Sequence, residues 1–142
     1  MKSLAMKRIW VAALCALAIA GCGRKEMPIA DAGKPPALAG FTHQVSGNIL
    51  KLSFRIEGGS GPVGYQIDRA ELDPVCHCRG AWRRFYEQPA IPGQKGKTLT
   101  KALNLFTSDR TFFYRVRPVD AFGNLGAWSE VVRAHSELAP GE

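Results

Sequence analysis

Two cysteines flank a histidine at Cys76, His77 and Cys78, and these residue types can support redox chemistry, metal binding or cross-linking. The spacing leaves three alternatives open. The cysteines could close a small disulfide that pins the connection from Ala70 to Trp82. Their thiolates and the imidazole could bind Cu(I) or Zn²⁺, if His43 or a second molecule completed the site. The loop could also pair with a partner protein.

Two other segments come close to catalytic or cofactor-binding motifs without matching them. The segment Gly93–Thr98 ends like a phosphate-binding P-loop, but Ile91 stands where that motif requires its first glycine. The segment Gly58–Pro62 approaches G-x-S-x-G, but Pro62 replaces the final glycine. No spacing among the histidines and aspartates favours a catalytic triad. We therefore predict a protein that is not an enzyme and that binds no dissociable cofactor.

The amino-terminal segment has the pattern of a secretory signal. Lys2, Lys7 and Arg8 precede an uncharged apolar run, Ile9–Ala20. A run of this length is too short to cross a bilayer, which needs about 20 apolar residues. It is typical of the apolar core of a signal peptide. We expect residues 1–21 to be removed.

The end of this run, Ile19 through Cys22, resembles the lipobox of bacterial lipoproteins. The resemblance implies cleavage between Gly21 and Cys22, and a covalent diacylglycerol on the Cys22 thiol. Several acyl chains on one residue would make membrane attachment effectively permanent. Gly23 stands where lipoproteins retained at the inner membrane often carry Asp, which favours the outer membrane.

Length and composition restrict the rest of the chain to one domain. The 142 residues include 15 Gly and 9 Pro, and 46% of them are hydrophobic. That is too short for a cofactor domain joined to a substrate domain. We expect the lipidated Cys22 and a flexible tether over residues 22–37, a domain over 38–136, and a disordered tail over 137–142. Loss of the signal would lower the formal net charge from +7 to +4, because Lys2, Lys7 and Arg8 would leave with it.

The domain shows the period of half-buried β-strands. Apolar and polar residues alternate in the segments Leu50–Arg55, Val63–Asp68 and Phe112–Arg117. Turn-forming residues such as Gly58–Pro62 separate these segments. The pattern predicts an all-β protein of seven short strands folded as a β-sandwich.

These segments resemble a fibronectin type III domain. Leu50–Phe54 is similar to the family's second strand and Gly64–Arg69 to its third strand. Phe106–Gly126 follows the family's corner residue, strand and aspartate-containing turn, and Trp128–Val132 would open the last strand. The resemblance covers residues 40–135 and implies a seven-stranded sandwich.

Two positions depart from that family pattern. Phe112 stands where the family has a corner tyrosine, so one side-chain hydrogen bond to the backbone is lost. Pro118 lies within the sixth strand, where it cannot donate to a ladder. We expect Pro118 at a strand end, an edge or a bulge.

Basic and aromatic residues alternate after the cysteines. We expect Arg83 and Arg84 to point to solvent while Trp82 and Phe85 pack inward, and Arg115 and Arg117 to form a polar face. The remaining basic residues of this loose cluster are Arg79, Lys95, Lys97 and Lys101.

The sequence predicts a lipid-anchored, non-catalytic binding or scaffold module of the bacterial envelope. Its expected partners are the membrane and an envelope protein, and not nucleic acid. The alternative is a small redox or metal-handling lipoprotein that uses Cys76, His77 and Cys78.

Overall fold

The computed structural model describes residues 33–106 and 110–137. Within them, seven strands form two antiparallel sheets, with the order β1-β2-β5 in one and β4-β3-β6-β7 in the other. This arrangement confirms the predicted all-β sandwich. The strands are Ala37–Ser46 (β1), Ile49–Glu57 (β2), Val63–Glu71 (β3), Arg83–Ile91 (β4), Thr98–Asn104 (β5), Thr111–Asp120 (β6) and Val132–His135 (β7).

The core lies between the two sheets and is built by the alternation that the sequence shows. Every second residue of β2 is buried, and the same holds along β6. The rings of Phe54 and Tyr65 meet edge to face across the two sheets, with centroids 5.0 Å apart. Tyr114 is completely buried, and burial raises the pKa of its hydroxyl against the opposing effect of nearby Arg69.

Pro118 lies where β6 has lost its second neighbour, as the sequence predicts. On one side it pairs with Tyr65 of β3. On the other side the pairing with β7 ends at Tyr114 and Val132. Beyond that point, Gly126 donates its N–H to the Pro118 carbonyl at 2.9 Å. The missing N–H of proline therefore interrupts no backbone hydrogen bonding between neighbouring strands.

The last strand begins later than predicted. It starts at Val132 rather than Trp128. Before it, Ser129 lies beside Val116 of β6: its N–H donates to the Val116 carbonyl at 2.7 Å, and its hydroxyl accepts from the Val116 N–H at 3.0 Å. Because the Ser129 hydroxyl replaces one of the backbone partners, this segment follows β6 without joining the backbone hydrogen bonds of the sheet.

The chain enters the sandwich at the end that carries the β2–β3 loop. The carbonyl of Lys34 accepts from the N–H of Gly59 at 3.2 Å, and Pro36 is buried. The last residues of the predicted tether therefore pack on the domain. At the far end of the sandwich, Glu137 donates its N–H to Gly47 at 2.8 Å. The rest of the tail predicted from residue 137 lies outside the described residues.

Asp120 holds the loops at the entry end together. Its carboxylate accepts hydrogen bonds from the N–H of Ser60, of Phe122 and of Asn124, and from the Asn124 side chain. Burial alone would raise the pKa of Asp120, but these donors outweigh it and the pKa lies below its ordinary value. Asp120 thus has a structural role at the turn that follows β6.

Candidate functional site: the cysteine loop, its cleft and an arginine–tryptophan ladder

The connection between β3 and β4, residues 72–82, is here called the cysteine loop. In the structure the Sγ atoms of Cys76 and Cys78 are bonded to each other, and the two Cα atoms lie 5.2 Å apart. His77, between them, has a φ of 51°, in the left-handed region that histidine tolerates better than most residues. The disulfide therefore turns the chain back on itself at the outermost point of the loop.

Asp73 organises the same turn from its other side. Its Oδ1 accepts from the N–H of Val75 at 2.8 Å and of Cys76 at 3.1 Å. These two bonds lower the pKa of the Asp73 carboxyl. The N–H of Asp73 donates to the Cys78 carbonyl at 2.9 Å, which closes the loop across its neck.

The metal-binding alternative has no support in the described residues. With their sulfurs bonded to each other, Cys76 and Cys78 are not thiolates. His43, which would have to complete the site, lies on β1 in the other sheet. Across residues 33–106 and 110–137, no group of three or more His, Cys, Asp or Glu side chains is placed to hold a metal ion.

A cleft of about 570 Å³ opens between the cysteine loop and the first residues of β4. Its basic residues include Arg69 and Arg83, and its acidic residues are Glu71 and Asp73. The ring of Phe85 forms part of its wall. The cleft is thus a concave site in which charged groups lie against an apolar surface.

The outer face of the four-stranded sheet carries a ladder of alternating arginines and tryptophans. The guanidinium of Arg79 lies 4.8 Å from the ring centroid of Trp82, and the guanidinium of Arg115 lies 4.3 Å from the same centroid. Arg115 also lies 4.0 Å from the Trp128 ring, and Arg117 lies 4.4 Å from it. The arginine–tryptophan ladder is therefore a five-membered series: Arg79, Trp82, Arg115, Trp128 and Arg117.

Polar residues of β3 and β4 hold the ladder in place. Asp68 is only 6% exposed. Its two carboxylate oxygens accept from Arg84 at 2.7 Å and from Arg115 at 3.1 Å. Gln66 accepts from Arg117 Nε at 2.9 Å. These contacts fix the planes of Arg115 and Arg117 against the Trp128 ring.

Positive charge exceeds negative charge on this face. Arg84 pairs with Asp68 and Glu87, and Arg115 pairs with Asp68, whereas Arg117 forms no ion pair among the described residues. Burial, followed by repulsion from Arg84 and Arg115, lowers the pKa of Arg117 although the two carboxylates oppose this effect. The face can therefore accept an acidic partner without first displacing Asp68 or Glu87 from the arginines.

The structure corrects one part of the predicted orientation. Phe85 packs against the core, as predicted, and so does Phe112 at the corner position. Trp82 does not pack inward: it lies on the outer face between Arg79 and Arg115. The reason is the irregular register between β3 and β4, which shifts between Ile67 and Asp68 and breaks the simple alternation after Trp82.

The basic cluster suggested by the sequence is divided in the structure. Arg79 joins the ladder, but Lys95 lies on the β4–β5 turn and donates to the Gly59 carbonyl at 2.9 Å. Lys101 lies over the ring of Tyr86, 3.5 Å from its centroid. The lysines and the arginines therefore do not form one basic surface.

The two near-motifs are turns between strands. Gly58–Pro62 joins β2 to β3, and Gly93–Lys97 belongs to the β4–β5 connection. Neither precedes a helix, which both motifs require.

The predicted signal, its cleavage site at Gly21, the lipidated Cys22 and most of the tether lie outside the described residues. Among residues 33–106 and 110–137, no helix has the length and apolar character needed to cross a membrane.

Comparisons with known proteins identify the fold. No protein-family model and no curated protein matches the chain. A solved structure titled "Myokine structure" is similar, with a TM-score of 0.51, 16% sequence identity, and coverage of 72% of this chain and 98% of the other. The chain has a fibronectin type III-like β-sandwich. At this identity the likeness shows the fold alone, and the function must be argued from the site.

Proposed function

We propose that this chain is a non-catalytic binding module, anchored by lipid in the bacterial envelope, whose arginine–tryptophan ladder binds an acidic surface of an envelope protein. The observation that carries the proposal is the five-membered ladder itself. Its tryptophans lie on the outer face of a sheet, where they contribute nothing to the core between the sheets.

The chemistry of the ladder favours a protein partner. Trp and Arg are the residue types most enriched among those that dominate the energy of protein interfaces. Stacking between Arg115 and its two rings holds these side chains in one conformation before a partner arrives, which reduces the entropy lost on binding. The excess of arginines over carboxylates on the face favours an acidic surface.

The envelope location is supported by the sequence. The basic residues, the apolar run and the lipobox-like segment ending at Cys22 occur in the order that lipoprotein maturation requires. An attached lipid would restrict the module to a membrane surface, which raises its effective concentration near other envelope proteins. We place it at the outer membrane because Gly23, and not Asp, follows the cysteine.

A capture experiment tests the binding face. The full-length chain is cross-linked in intact envelopes, purified, and its partners identified by mass spectrometry. Arg117→Glu reverses one charge of the ladder, and Lys51→Glu makes the same change on the outer face of the other sheet. We expect the same acidic partner with the wild type and Lys51→Glu, and its loss with Arg117→Glu. Equal capture by all three would show that the ladder is not the binding face.

The anchor is tested separately. Cys22→Ser removes the sulfur to which the lipid would be attached. We expect this variant to accumulate as an uncleaved, unlipidated precursor, whereas Cys15→Ser matures normally. Normal maturation of Cys22→Ser would refute the anchor and leave the binding proposal standing on its own test.

A further inference from the structure

The cleft beside the cysteine loop has the features of a separate binding site. Its volume of about 570 Å³ lies within the range of sites that take small ligands or short peptide segments. It lies at the end of the β3–β4 hairpin. The ladder begins on the same loop, with Arg79 and Trp82, but none of its members lines the cleft, and it extends across the outer face of the sheet to Trp128 and Arg117.

The carboxylates at the cleft are already engaged within the protein. Glu71 forms an ion pair with Arg110, with 2.8 Å between Oε1 and Nε. The Asp73 carboxylate accepts from two backbone N–H groups of the cysteine loop. Both groups keep their negative charge, but neither forms an ion pair with Arg69 or Arg83 among the described residues.

Two guanidinium groups at the cleft have no carboxylate partner in the described residues. The side chain of Arg83 is exposed, and its guanidinium forms no ion pair or hydrogen bond there. Arg69 lies against two aromatic rings, 4.3 Å from the centroid of Phe85 and 4.8 Å from that of Phe112. Stacking holds Arg69 in place but leaves its N–H donors without an anionic acceptor.

The apolar part of the cleft lies next to these donors. It is formed by Phe85 together with Ala70, Leu72, Pro74 and Ala81. A free inorganic anion would use the arginines and leave this surface in contact with water. A carboxylate joined to an apolar group would use both.

We propose that the cleft binds a peptide through a carboxylate that pairs with Arg83 and Arg69, while an adjacent apolar side chain packs on Phe85. Planar guanidinium groups match carboxylates in two-point hydrogen bonds. A peptide is the fitting carrier because β4 is an edge strand: within residues 33–106 and 110–137 no strand pairs with it on the side away from β3, where an extended chain can add. The carboxylate comes either from an acidic side chain or from a chain terminus.

The disulfide gives this site one of its properties. Asp73 and Pro74, which line the cleft, precede the cross-linked turn directly. A fixed turn holds that wall at one distance from β4, so the site is formed before the ligand binds. We therefore expect reduction of the disulfide to weaken peptide binding without abolishing the charge attraction to Arg83.

Peptide titrations test the proposal. The full-length chain, labelled with ¹⁵N-arginine and kept in detergent micelles, is titrated while the Nε–Hε signals are followed by NMR. The probes are acetyl-Leu-Leu with a free carboxylate, acetyl-Leu-Glu-amide, acetyl-Leu-Leu-amide and acetate. We expect saturable shifts of the Arg83 and Arg69 signals with one or both of the carboxylate-bearing peptides. We expect acetyl-Leu-Leu-amide and acetate to bind at least tenfold more weakly. Whichever carboxylate-bearing peptide binds more tightly shows whether the carboxylate comes from a chain terminus or from an acidic side chain.

Matched variants separate a site from general charge attraction. Arg83→Gln and Arg133→Gln each remove one exposed arginine of the same sheet, and Arg133, on β7, lines no part of the cleft. We expect the first to weaken peptide binding at least tenfold and the second to change it less than twofold. The double variant Cys76→Ser, Cys78→Ser should weaken it about threefold to tenfold.

Any one of the following results would overturn the proposal: equal binding of the amide and the acid, equal binding of acetate and the peptides, or equal loss in Arg83→Gln and Arg133→Gln. The absence of any shift at millimolar peptide would do the same. None of these results bears on the ladder, because its test uses Arg117→Glu and envelope capture. Failure of one proposal is therefore distinguishable from failure of the other.

Discussion

The two sheets of this sandwich present outer faces of different character. On the three-stranded sheet the outward residues are short or exposed, as in the contact of 3.3 Å between the hydroxyls of Ser53 and Thr100. Its ion pair, Arg55 with Glu57, is long at 3.6 Å and exposed. On the four-stranded sheet, the ladder and Asp68 form a connected set of contacts. An alternating pattern thus defines an outer face but does not decide whether that face is merely solvated or organised for binding.

The largest expected difference in stability between the two faces comes from a substitution at the centre of the arginine–tryptophan ladder. Arg115→Ala removes the cation shared by Trp82 and Trp128 and leaves Asp68, which is mostly buried, with Arg84 as its remaining cation. We expect the free energy of unfolding to fall by about 2–3 kcal/mol. Lys51→Ala, on the central strand of the other sheet, should change it by less than about 0.5 kcal/mol. Urea unfolding of both variants measures the contrast, and equal losses would show that the faces are energetically alike.

A smaller loss is expected from the aromatic member of the ladder. Trp128→Ala removes the ring between Arg115 and Arg117, and we expect a loss of about 1–2 kcal/mol. Trp128→Phe keeps a ring at this position and should recover part of that stability. Thermal unfolding of the two variants ranks them. If phenylalanine recovered nothing, the contribution of Trp128 would not come from stacking on the arginines.

Energetic coupling between neighbouring side chains is expected on the outer face of the four-stranded sheet and not on that of the three-stranded sheet. A double-mutant cycle on Trp82 and Arg115, with alanine at each position, should give a coupling energy of about 0.5–1 kcal/mol. The same cycle on Ser53 and Thr100 should give a value near zero. A coupling between Ser53 and Thr100 as large as that in the ladder would show that both faces are organised to the same degree.

The smallest effect is expected at the exposed ion pair of the three-stranded sheet. Arg55→Ala breaks the contact with Glu57, and we expect a loss of less than about 0.5 kcal/mol. Added salt should reduce even this loss, because solvent and ions already screen the pair. Unfolding in low and high salt checks both points. A salt-independent loss of more than 1 kcal/mol would show that the face is more organised than its geometry indicates.

Much of the fold could be predicted because it depends on local periodicity. Alternation identified the inward faces of β2, β3 and β6, and the chemistry of proline placed Pro118 at an edge. The predicted start of the last strand, Trp128, was wrong by four residues. A tryptophan followed by Ser, Glu and two valines satisfies strand propensity, and only the contact of Ser129 with Val116 keeps this segment out of the ladder of hydrogen bonds.

The candidate site could be predicted only where it is local. Cys76 and Cys78 lie two positions apart, so a disulfide between them was one of the alternatives the sequence offered. The ladder could not be predicted, because Trp82, Arg115 and Trp128 come together through the pairing of β3 with its neighbours and through a register shift near Asp68. The cleft depends on the path of the cysteine loop, which no sequence period encodes.

The direction of the first strand has a consequence for how this protein meets its surroundings. Strand β1 begins beside Glu57, at the end of the sandwich where β3 also begins, whereas the cysteine loop follows the last residue of β3. Nine residues of extended chain in β3 separate these two ends by roughly 30 Å. The cysteine loop therefore lies at the end of the sandwich farthest from the point where the chain enters the domain, so a contact at the loop leaves the entry point unobstructed.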